Sequence, residues 1–273
     1  MLGETAAGWH IRFVTESPAP DAIVLASFGH PLNCRAVATP VDFAQMLALV
    51  PPASGDTGGI ELLTVPLASP LAPDLNRQLE AWPGAGQARG SIIEASLRST
   101  RVLAGTARAA VFSKADQMDE AVDATLRFMA AQRSAALLER DVEVNLDAMA
   151  AYAVPATKTA VPDPRSRQAR MHDALGTKVA WIGLQRSLEQ FDPAIPAHAR
   201  RLFADLCQSA RLPDRMECLE EPIHAVYDYY DAEAWRRDDQ GHFNVTIVAE
   251  LLILVVLIAE LGVMVAQYWW PMH

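Results

Sequence analysis

The stretch AELLILVVLIAELGVMVAQYWW, Ala249 to Trp270, narrows the options for this chain more than any other. From Val245 to Trp270 are 26 residues. As a helix they reach about 39 Å, more than a hydrocarbon core of about 30 Å. Tyr268, Trp269 and Trp270 would anchor the far interface, with Trp235 and Phe243 near the entry side. Arg236 and Arg237 precede the run and only Pro271, Met272 and His273 follow it, so the positive-inside rule puts the long N-terminal part in the cytoplasm. The expectation is one C-terminal transmembrane helix over 243–270, a tail anchor in the lipid bilayer of the bacterial inner (cytoplasmic) membrane.

Glu250 and Glu260 interrupt the run. Fourteen Leu, Ile or Val between Val245 and Ala266 favour insertion by about 4 to 8 kcal/mol, against about 2.5 to 3.5 for one central charge. Ten residues turn a helix through about 1000°, which leaves the two carboxylates about 80° apart, on one side. Acidic groups at that depth face protein, stay protonated or pair. Gly262 and Ala266, on another face, form a small-x-x-x-small pair that lets helices approach. Membrane-helix contacts are therefore expected at Glu250, Glu260, Gly262 and Ala266, with a buried helix of a soluble protein as the competing explanation.

The net charge of −10 excludes a broad nucleic-acid footprint, which needs clustered Lys and Arg. Locally, 158–201 carry eight Lys or Arg against four Asp or Glu, and 205–239 carry four against ten. Neighbouring helices that pair these charges account for the asymmetry, and a basic partner-binding surface is the other reading. Cys34, Cys207 and Cys218 lack C-x-x-C spacing, so neither a disulfide framework nor a zinc site is expected. MLGETAAGWHIRFV has no basic stretch followed by an apolar one, hence no secretory signal.

The first eighty residues alternate strand-like runs with turn residues: HIRFV, AIVLASF and IELLTVPL, with HPLNCRAVA weaker. Thr39 and Pro40 suggest a helix start that runs to Pro51. Residues 81–90 read as a linker, and GAGQARG within it has no preceding strand to make it a dinucleotide loop. From Ser91 the pattern predicts helices: one over IIEASLRSTRVLAGTARAAVF, a second from Ala115 to Ala153 with a break near Arg140, then Arg165–Gln190, Ala197–Ala210 and one starting at Pro213. The fold class expected is α+β: a small N-terminal α+β domain (1–80), a linker (81–90), an α-helical bundle (91–242) and the membrane helix (243–270).

Chemistry is sparse. His10, His30, His172, His198, His224 and His242 are scattered, and no Walker loop, G-x-S-x-G or acidic metal box appears. His172 beside Asp173, and Tyr227, Tyr229 and Tyr230 among carboxylates, are the remaining candidates. No catalytic residue, cofactor or metal is assigned.

AIVLASFG with its Phe28–Gly29 pair, LRSTRVLA, ARLPDRMECLEEPIHAVYDYYD and the final AELLILVVLIAEL with glutamates ten apart occur in an order that resembles the "required for meiotic nuclear division" or sporulation-protein family. Thr106 stands where that family has a glutamate, and Leu251 where a tryptophan is frequent, which makes the chain a divergent match. The resemblance implies a membrane-anchored, non-catalytic protein that oligomerises; by analogy with mitochondrial relatives, it adds a link to translation with the ribosome as partner.

The function expected is thus a non-catalytic scaffold or assembly protein, a homo-oligomer that presents a cytoplasmic helical domain to partners such as another membrane protein. Two alternatives stand beside it: a subunit of a transport or energy-transducing complex that titrates Glu260, and an enzyme with His172 and Asp173 at its site.

Overall fold

A computed structural model describes residues 5–19, 21–29, 32–48, 59–67, 73–85, 92–153, 164–189, 193, 195–232 and 251–253. Seven strands form one sheet: β1 (Ala7–Val14), β2 (Ile23–Phe28), β3 (Cys34–Val41), β4 (Gly59–Pro66), β5 (Ile93–Leu97), β6 (Thr100–Ala104) and β7 (Arg108–Ser113). Their spatial order is β2-β3-β1-β4-β7-β6-β5. Only the central β4–β7 pair is parallel, Glu61 opposite Arg108 and Leu63 opposite Ala110. The neighbouring pairs are antiparallel.

Both faces of the centre are covered, which explains its composition. In β7 every residue is buried. Ala109 and Val111 join the large core on one face, while Ala110 and Phe112 join Met46, Leu63, Val65, Leu79 and Trp82 on the other. A strand buried on both faces reads as a continuous apolar run rather than an alternating one. On the second face lie α1 (Phe43–Ala48) and α2 (Pro73–Ala81), followed by a 3-10 turn, Trp82–Gly84. Trp82 is 4% exposed and donates from Nε1 to the Met46 carbonyl at 3.2 Å, pinning that turn to α1.

The first face carries α3 (Met118–Ala153), 36 residues long, and α5 (Ala197–Ser209). α4 (Pro164–Glu189) and a further helix, α6 (212–232), pack along the part of α3 that outruns the sheet. Trp181 of α4 donates to the Met216 carbonyl of α6 at 2.9 Å, and Arg215 of α6 grips Glu139 of α3 through two bonds of 2.7 and 2.8 Å.

Four expectations are corrected. The fold is not a small α+β domain followed by a separate bundle but a mixed α/β protein, because 93–113 form β5, β6 and β7 instead of a helix. Alternation decides it: Ile93, Ala95 and Leu97 pair with Ala104, Val102 and Thr100. Arg98 makes the hairpin turn at φ 56°, a left-handed conformation that glycine or asparagine would have signalled. Second, the helix expected from Pro40 starts at Phe43, with Asp42 Oδ1 accepting from the Gln45 amide at 2.9 Å, while Thr39 and Pro40 belong to β3. The break expected near Arg140 is absent from α3.

The fourth correction concerns the membrane. Among the described residues no helix is long and apolar enough to cross a bilayer. α3 and α4 have the length, but charges such as Asp123, Arg127, Arg133, Glu139, Lys178 and Arg186 recur along them, and each costs too much in hydrocarbon. Of the expected span 243–270, only Leu251–Ile253 are described, as an exposed piece of helix. The remainder lies outside the described residues. The tail anchor, the lipid-bilayer partner and the inner-membrane location are therefore not carried further.

Candidate functional site

Every residue assigned to membrane-helix contacts or interfacial anchoring (Glu250, Glu260, Gly262, Ala266, Arg236, Arg237, Tyr268, Trp269 and Trp270) lies outside the described residues. The weaker candidates are visible. His172 and Asp173, both exposed, stand on α4 at the side of a groove of about 440 Å3 between α3 and α4. Asp141 and Asn145 of α3 and Thr177 of α4 share it, above a floor that includes Leu138, Gly176 and Ala180. The Thr177 hydroxyl is turned back onto the Asp173 backbone carbonyl at 3.0 Å, so it serves the helix. No group of three or more His, Cys, Asp or Glu among the described residues could hold a metal ion. The groove collects polar side chains on an apolar base but does not aim them at one point.

Tyr227, Tyr229 and Tyr230 are framework. Lys178 Nζ lies 4.1 Å from the Tyr227 ring centre, a cation–π contact between α4 and α6. Tyr229 and Tyr230 meet edge to face at 5.3 Å, and Tyr230 is buried against Ala174 and Val226.

Two polar clusters were not singled out from the sequence because their members are far apart along it. Thr100 Oγ1 shares hydrogen bonds with Ser113 Oγ at 2.8 Å and His198 Nε2 at 3.2 Å. Hydroxyl beside imidazole is the material of a nucleophile and its base. Here Ser113 and Thr100 are 0% and 1% exposed, so a substrate carbonyl has no approach, and the cluster ties the start of α5 to the sheet. On the opposite face Arg108, 2% exposed, gives a 2.6 Å bond from Nε to Glu61 and stacks 4.8 Å from the Trp82 ring centre. It borders a cavity of about 450 Å3 whose walls are mostly alanine and Leu47. The ion pair joins the two strands of the one parallel pairing at Glu61 and Arg108, where a slip of one residue would bury an unpaired charge.

What is unusual at the surface is apolar. Val144 (59% exposed) and Leu137 (51%) on α3, with Val179 (58%), Ile182 (49%) and Leu175 (43%) on α4, leave large side chains in solvent. Spacings of seven on α3 and of four then three on α4 set each group on one stripe of its helix, within about 60° of arc.

No family model and no curated protein matches the chain. Among solved structures it is similar to the full-length CmaX protein, with 11% identity and a TM-score of 0.38 over 97% of this chain and 86% of that one. A likeness at that TM-score is too slight to carry an argument about fold or activity.

Proposed function

We propose that the chain is a non-catalytic assembly protein that associates with itself and presents its helical arm, the outer half of α3 with α4 and α6, to partners. The observation that carries this reading is the row of Leu137, Val144, Leu175, Val179 and Ile182, five large apolar side chains exposed at heptad-like spacing on two adjacent helices. Scattered exposed apolar residues are ordinary, whereas a periodic row beside a groove is what an interacting helix pair displays. The buried polar clusters support the same reading from the other direction, since both are consumed in holding the sheet and its helices together.

The test is the native mass of the full chain, measured by light scattering across a hundredfold range of concentration in a non-ionic detergent chosen for the apolar 245–270 run. A mass at a multiple of 29.7 kDa, falling on dilution, is the expected outcome. A constant 29.7 kDa at every concentration would remove the proposal.

A further inference from the structure

We draw no further inference here: the strongest candidate, the exposed apolar face of α3 and α4 with the groove that Gly176 and Ala180 border, belongs to the surface already described, and nothing in the structure shows what covers it.

Discussion

α3 serves two different surroundings along its length. Between Met118 and Ala131, ten of fourteen residues are buried, enclosed by the sheet on one side and α5 on the other; between Gln132 and Met149 only Ala135, Leu138 and Val142 of eighteen are. The inner half is a core element that happens to be helical. The outer half is one wall of an arm, held by α4 and α6 and open on the side of Leu137 and Val144. A helix of 36 residues, about 54 Å, is longer than its sheet needs. The difference teaches that the fold is complete without the outer face, which leaves that face available for association.

The sharpest way to break this contrast is to cut into both halves. Phe128→Ala, at a fully buried position, should lose about 3–5 kcal/mol in urea denaturation. Leu137→Ala should cost the monomer less than about 0.5 kcal/mol, and weaken only its association. Comparable losses at the two sites would show that the outer half is as much core as the inner.

Ion pairs extend the comparison. Glu61→Ala removes the carboxylate that Arg108, 2% exposed at the sheet centre, pairs with at 2.6 Å, and should cost about 3–5 kcal/mol. In the arm, Arg215 and Glu139 remain about a third exposed, so Arg215→Ala should cost only about 0.5–1 kcal/mol and less in high salt. An equal cost for the two variants would contradict the division.

The thiols report the same boundary at smaller effect. Burial pushes Cys207 of α5 up from 9.0 to about 12, while Cys218 of α6 is exposed. Alkylation at pH 8 should therefore modify Cys218 first and reach Cys207 only on unfolding. A thiol whose folded pKa is raised contributes stability that is whole below the unfolded value of 9.0 and is lost as pH climbs towards about 12. The unfolding midpoint should fall across that window, and Cys207→Ala should flatten the fall.

The smallest effect is expected at Glu80. A hydrogen bond from Arg101 holds its carboxyl below the ordinary 4.5. That contribution is present above pH 4.5 and disappears as pH falls through the depressed value. Glu80→Gln should differ from wild type in melting temperature only above that range, and a difference that persists in strong acid would assign Glu80 another role.

Where the sequence was readable, a local signal existed. Turn residues bracket β1, β2 and β4, and proline marks the starts of α4, α5 and α6 at Pro164, Pro196 and Pro213. The misreading of 93–113 has a physical origin: Ala95, Ala104, Ala109 and Ala110 favour helix locally, but cross-strand pairing and burial on both faces outweigh propensity. Arg98 and Arg211 hold left-handed conformations without glycine, so the hairpin and the end of α5 carry no usual marker. Of the candidate site, only packing as a role for the tyrosines was legible; the groove beside His172 and Asp173 lies between α3 and α4, a pairing that no linear pattern shows. The Thr100, Ser113 and His198 cluster spans 98 positions, and nothing in a linear pattern unites it. The apolar row on α3 and α4 was legible in principle as leftover hydrophobics once the core stripe is subtracted, a step that needs the helices' packing partners.

Hydrogen exchange measured at two protein concentrations, below and above the association midpoint, tests the central claim most directly. Protection should rise with concentration in 137–147 and 172–183 and stay constant in 118–131. Unchanged exchange throughout the arm, with the added protection confined to other segments, would contradict the assignment of α3 and α4 as the associating face.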